Sequence, residues 1–196
     1  MKPVKSLVII LVLIFALTAC GKTPTEIPDT VTDSVEIILS DKSITVDGES
    51  VSNDNSSAVH TANNIIYYES GKDFTYGEGS ENDAHSADEA EAHTVVHITK
   101  AGTYSISGKL SKGQIAVDLG DGAKENPEAV VTLILNGADI SCSVAPAVIF
   151  YNVYECATDE ATNDVDTSAA GANVIIADGT VNEINGSYVE KIYKPE

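Results

Sequence analysis

The chain has 196 residues, with 30 Asp plus Glu against eleven Lys, no Arg, and a net charge of −19. That balance excludes nucleic acid as a partner, because such binding relies on Lys and Arg neutralising phosphates. It also argues against electrostatic attachment to anionic lipid, while it suits hard cations such as Ca2+, which take carboxylate and carbonyl oxygens.

The first element is an export signal. Lys2 and Lys5 precede an unbroken apolar run from Leu7 to Leu17. A basic start, a short apolar stretch and a small-residue cleavage site are the anatomy of a secretory signal. The run is shorter than the roughly 20 apolar residues of a spanning helix. Leu17-Thr18-Ala19-Cys20-Gly21 looks like a bacterial lipobox, in which Cys20 receives lipid and the chain is cut before it. Each buried lipid methylene contributes about 0.8 kcal/mol, and stable anchoring needs more than one chain. The expectation is therefore residues 1–19 as signal peptide and an extracytoplasmic protein tethered through Cys20. The mature chain then holds nine Lys against 30 acids, a balance of −21. Residues 20–34, rich in Pro, Thr and Asp, read as a flexible linker. Residues 35–196, about 160 in number, are one domain's worth.

From Val35 onward short runs rich in Val, Ile, Thr and Tyr alternate with Gly, Asn and Asp. Candidate strands are Val35–Leu39, Ser43–Val46, Ile65–Tyr68, Thr94–Ile98, Thr103–Ser107, Gln114–Asp118, Val130–Leu135, Ala147–Phe150, Asn173–Ala177 and Val181–Ile184. Each fits a half-buried strand. No helix-period stripe of useful length is present, and the Ala/Glu-rich piece from Ala87 to Ala92 has too few apolar residues to hold a helix against a core. The domain reads as all-β. Two acidic loops, Glu78 to His93 and Thr158 to Gly171, read as solvated insertions or as cation-gathering loops, though neither matches the D-x-[DN]-x-[DN]-G Ca2+ pattern. His60, His85, His93 and His97 are scattered and read as solvated rather than as ligands. With Cys20 lipidated, Cys142 and Cys156 remain, open to a disulfide outside the cell or to two buried free thiols.

Asn136-Gly137, Asn152 and Asp178-Gly179 each follow an apolar run. Such residues accept left-handed backbone and turn the corners of coiled β-solenoids. Their spacing is not a strict repeat, and it supports a sandwich nearly as well.

Several motifs in order carry a family resemblance. They are Ile98-Thr-Lys-Ala-Gly-Thr-Tyr-Ser-Ile-Ser-Gly108, Gly113-Gln-Ile-Ala-Val-Asp118, Val131-Thr-Leu-Ile-Leu-Asn-Gly-Ala-Asp-Ile140, Ala145-Pro-Ala-Val-Ile149 and Val174-Ile-Ile-Ala-Asp-Gly-Thr-Val-Asn182. The chain resembles the carbohydrate-binding β-helix domain of exported clostridial proteins, distantly similar to pectate lyases. The resemblance implies a short right-handed parallel β-helix with an N-terminal β cap, binding of cellulose or pectin-like polysaccharide, and Ca2+. It also implies more coils than the sequence holds, so the expectation is either a domain truncated at its C-terminal end or a last coil covered by a partner.

Within that frame the candidate Ca2+ ligands are Asp118, Asp121, Asp139 and Asp178, at strand ends where the resemblance is closest. Sugar rings stack on flat aromatic faces, and Tyr67, Tyr68, Tyr76, Tyr151 and Tyr154 lie in or beside strands, as core-packing residues or as a sugar platform. A polysaccharide lyase needs a base beside a uronate-neutralising cation. Lyases on that fold typically use Arg, which this chain lacks, and Lys100, Lys109, Lys112 and Lys124 sit without a clear acidic cradle. The sequence therefore reads as a binding protein rather than an enzyme, with a purely structural or adhesive surface protein as the third reading.

Overall fold

The computed structural model describes residues 33–65, 87–154, 158–159, 164–165 and 169–187. Within Thr32–Glu196, one compact unit, these residues build two open sheets around a shared apolar core. In chain order the elements are β1 Ser34–Leu39, β2 Thr45–Val46, β3 Glu49–Ser50, β4 Val59–Ala62 and a one-turn helix α1 Ala87–Glu91. Then come β5 Thr94–Ile98, β6 Gly102–Leu110, β7 Gly113–Asp118, a 3-10 turn Asp121–Glu125, β8 Val131–Ser141 and β9 Val148–Asn152. A two-residue pair, β10 Thr158–Asp159 and β11 Asp164–Val165, precedes β12 Ala172–Ile176 and β13 Glu183–Asn185.

The first sheet runs β12-β8-β6-β1-β2-β3, with β13 also on β8, and the second runs β4-β5-β7-β9. In the middle of each sheet neighbours are parallel: β1 with β6, β6 with β8 and β8 with β12, then β5 with β7 and β7 with β9. At one margin of each sheet they are antiparallel, whereas the edge strands β12 and β9 pair in parallel. β2 folds back along β1, β3 folds back along β2 through Asp47 and Gly48, both at positive φ, and β4 runs against β5. These mixed, unclosed sheets correct the expected right-handed β-helix: β2, β3 and β4 run against their neighbours instead of every strand winding in one sense. The expected N-terminal cap is corrected too, because β1 is a full member of the first sheet, in register with β6 from Ser34 to Leu39.

Alternation in the strands builds the core. Ile37, Leu39, Tyr104, Ile106, Val131, Leu133 and Leu135 from the first sheet meet Val59, Val96, Ile98, Ile115 and Val117 from the second in one buried cluster. Each large aliphatic side chain so buried contributes about 1.5–3 kcal/mol. Val95, Ala116 and Ile149 lie on the opposite face of the second sheet as a smaller cluster.

Asn136-Gly137, expected at a corner, instead lies inside β8. Ile106 pairs with Leu135 and Gly108 with Ala138, so Ser107 faces two residues. This is a β-bulge, with Gly137 at φ +83°. The additional residue shifts the alternation by one, so the buried set passes from Val131, Leu133 and Leu135 to Ala138 and Ile140. Without it Ala138 and Ile140 would face outward. Asp178-Gly179 does form a turn, with Gly179 at φ +74°. Asn152 does not turn the chain; it ends β9, buried and paired with Asp118.

The Ala/Glu-rich piece is a helix after all. One buried residue, Ala90, and the adjacent His93 hold it: His93 Nδ1 donates to the Glu89 carbonyl at 2.8 Å, and its Nε2 accepts from the Ser143 amide at 3.2 Å. Thr158 to Gly171 likewise holds strand, in β10 and β11. Most of Ile65–Tyr68 lies outside the described residues.

Candidate functional site

The loop Ser40–Ile44 leaves β1 and the turn Leu110–Lys112 joins β6 to β7 at the same end of the sheets. Between them lie two adjoining hollows of about 320 and 350 Å3 that share Asp41 and Thr94. Hollows of this size are within the range of small-ligand sites. The first is lined by Ser40, Lys42, Ser43, Ser50 and Thr61, the second by Ser111 and Lys112. Asp41 organises the cleft: one carboxylate oxygen accepts the Ser111 amide at 2.6 Å across 70 residues of sequence. The Ser111 amide holds the Asp41 carboxyl below its ordinary range, helped by the Ser111 hydroxyl and the Lys109 charge against partial desolvation. Hydroxyls, a fixed carboxylate and two ammonium groups alternate there with the apolar Ile44, Val51, Ala92 and Leu110, a mixed surface whose donors and acceptors suit sugar hydroxyls.

The expected Ca2+ ligands are spread over the molecule. Asp118, at the end of β7, accepts from the Gly120 amide and from Asn152 Nδ2 through one oxygen. Asp121 opens the 3-10 turn, exposed. Asp139 on β8 is bound by Lys109, directly opposite on β6, and that bond raises the Lys109 pKa. Asp178 is exposed in the turn after β12. Among the described residues no three His, Cys, Asp or Glu come together as a metal set.

Of the tyrosines, Tyr151 is the residue skipped where the β7–β9 register shifts, and it is half-buried. Tyr154 lies half-buried against Gly171, where a Cβ would come within 2.5 Å of its backbone nitrogen. Tyr67, Tyr68 and Tyr76 lie outside the described residues, as does Cys20. Among the described residues no helix is long and apolar enough to cross a membrane. Cys142 is a free thiol whose pKa burial pushes up; Cys156 lies outside the described residues.

The histidines overturn the expectation of solvated side chains. His60, His93 and His97 are all buried; His85 lies outside the described residues. His97 follows Val95 by two in a strand that was legible, so alternation could have placed it on a covered face. His60 sits in Val59–Ala62, too short and polar a run to read as strand. The Asp41 cleft was illegible, since it joins residues from five separate segments that only the fold brings together.

No curated protein and no solved structure gives a match. Residues 92–187 match a family described as carbohydrate-binding domain-containing protein. That stretch runs from the end of α1 through β13 and supplies Thr94, Ser111 and Lys112 to the cleft; it is similar to a carbohydrate-binding domain.

Proposed function

We propose that this protein binds plant-type polysaccharide, of the cellulose or pectin class, at the outer face of a membrane to which Cys20 lipid tethers it. The observation that carries the reading is the family match over residues 92–187. The Asp41 cleft supports it, because its Ser, Thr, Asp and Lys side chains offer hydrogen bonds in both directions to sugar hydroxyls. Tyr151 and Tyr154, within the same matched stretch, supply flat faces. The chain acts as a binder rather than a lyase, given the lack of any Arg to serve as base. An anionic polymer meets a protein of this charge through bridging Ca2+.

The test is retention of the purified chain on insoluble cellulose and on Ca2+-pectate, with and without chelator. Retention that falls on replacing Asp41 by Asn or Lys112 by Ala is the expected result. Release of unsaturated sugar would replace binding by lyase chemistry, and no retention on any polymer would leave a structural role. Membrane fractionation of Cys20→Ala tests the anchor: the variant should leave the membrane fraction.

A further inference from the structure

Two imidazoles meet on the face of the second sheet that points away from the shared core. His60 on β4 and His97 on β5 are directly opposed in an antiparallel pair. Their rings stack with centroids 4.8 Å apart and planes within 7° of parallel. Both are buried, at 7 % and 8 % exposure. Neutral rings pack well in this way. Charged rings do not, because two like charges that close and that short of water repel each other strongly.

The surroundings favour the neutral pair. His97 Nε2 is buried and has no hydrogen-bond partner among the described residues, so a charged His97 holds an N–H that nothing accepts. Burial chiefly, and the neighbouring His60 after it, lower the His97 pKa from its ordinary 6.5, against the opposing charge of Asp118. His60 Nδ1 donates to the Ser57 carbonyl at 3.3 Å. Asp54, in the exposed loop before β4, acts on His60 by charge alone. Asp118 already accepts from the Gly120 amide and from Asn152, and β9 carries no charged residue. A histidine whose folded pKa is depressed contributes stability that is complete above 6.5 and is lost as pH falls below it.

The strand that carries His60 is an edge. β4 is held to β5 by four paired residues, and on its other side a single bridge joins His60 to Ser52. Thr61, opposite the core residue Val96, faces the other side of the sheet. There it lines the Asp41 cleft together with Ser50 and Val51. The Thr61 amide donates to the Ser52 carbonyl at 2.9 Å and ties that wall together.

We propose that the His60–His97 stack is an acid-sensitive clasp that holds β4 on β5, and with it the Thr61 wall of the Asp41 cleft. Charging both rings parts β4 from β5 and removes that wall, so a ligand held in the cleft is released in acidic surroundings. The release of ligand rests on the carbohydrate reading of the cleft, whereas the release of the strand does not.

The test is hydrogen exchange of the full chain at about pH 7.5 and about pH 5.5, on either side of the ordinary histidine value. Rates are corrected for the intrinsic pH dependence of exchange, and retention on cellulose and on Ca2+-pectate is measured at the same two values. At the lower pH the amides of Val59–Ala62 should lose protection by about tenfold or more, and retention should fall in parallel. His97→Phe and His60→Phe each keep a flat ring in the stack and leave at most one charge. In either variant, folded by circular dichroism, protection should change by less than about threefold. Equal protection of the wild-type strand at both values would overturn the clasp, as would an acid loss that persists in both folded variants. Strand release with retention unchanged would overturn the link to the cleft. Strand release in a chain that no polymer retains at either pH would support the clasp and remove the carbohydrate reading.

Discussion

One rung of the first sheet contains its middle and its edge. Ile37, Ile106, Leu135 and Ile176 are consecutive register partners on β1, β6, β8 and β12. Register partners in adjacent strands face the same side of a sheet, yet the first three are 0 %, 0 % and 7 % exposed and the last is 65 % exposed. The difference lies in what stands opposite. Ile37, Ile106 and Leu135 belong to the cluster completed by the second sheet, whereas Ile176 lies outside that cluster. Val174 on the same strand, at 53 %, and Ile184 on β13, at 39 %, share its exposure. Apolar patterning therefore marks a residue as fit for a core; the opposing layer decides whether it has one.

The sharpest way to break that comparison is to truncate the same residue type at both places. Ile106→Ala removes a side chain enclosed on all sides and should cost about 2–5 kcal/mol. Ile176→Ala, on the same rung, should change stability by about 0.5 kcal/mol or less. Urea unfolding followed by circular dichroism measures both. Equal losses would mean that Ile176 is covered in solution.

Backbone closeness separates middle from edge as well. Gly108 on β6 sits at φ +86°, and a Cβ there would lie 2.2 Å from the Leu39 carbonyl oxygen. Gly179, in the turn after β12, also has positive φ, but a Cβ there would meet nothing. Gly108→Ala should cost about 1–3 kcal/mol through strain and displacement of β1. Gly179→Ala bears only the conformational part, a loss of about 1 kcal/mol or less. The difference between their unfolding midpoints checks this.

The edge also serves the middle at one point. Asn182, just before β13, turns its Oδ1 onto two amides of the β8 bulge, Gly137 at 2.9 Å and Ala138 at 2.8 Å. Asn182→Ala leaves both without that acceptor and should cost about 1–2 kcal/mol. Asn182→Asp keeps the acceptor and should recover most of the loss, as hydrogen exchange at those two amides would register.

Much of this layout could be read from residues alone, and the failures have physical causes. Thr94–Ile98 was legible to the residue because β-branched residues and flanking polar ones mark its ends. The strands β6 and β8 were seen but cut short. Gly108 and Asn136-Gly137 signal turns in local terms, while neighbouring strands on both sides carry the chain straight through them. The margins misled for the opposite reason: β3 contains no apolar residue and β4 only Val59 and Ala62, runs too short to read as strands alone, which an available edge pairs. His93 reads as a polar residue in an acidic loop, and only the amide of Ser143, 50 residues on, explains its burial. The candidate carboxylates Asp118 and Asp139 were found as residues, but their partners Asn152 and Lys109 lie on other strands.

The smallest expected effect belongs to Asp41, whose bond to Ser111 ties the β1–β2 loop to the β6–β7 turn at the open end of the sheets. Its carboxyl is held below the ordinary value of 3.8, chiefly by that amide. A carboxylate whose folded pKa is depressed gives a contribution that is complete above its ordinary pKa and is lost as pH falls through the lower, folded value. The tie should therefore persist on acidification past the point where free carboxylates titrate, and then release. The Ser111 amide resonance followed against pH should show a midpoint below 3.8. Read from the Asp41 carboxyl carbon, which both variants keep, removing the neighbouring charge with Lys109→Ala should move the midpoint upward by less than Ser111→Pro, which deletes the donor itself. A wild-type midpoint at or above the ordinary value would mean that the loop and turn are not tied in solution, and the cleft between them would lose its fixed carboxylate.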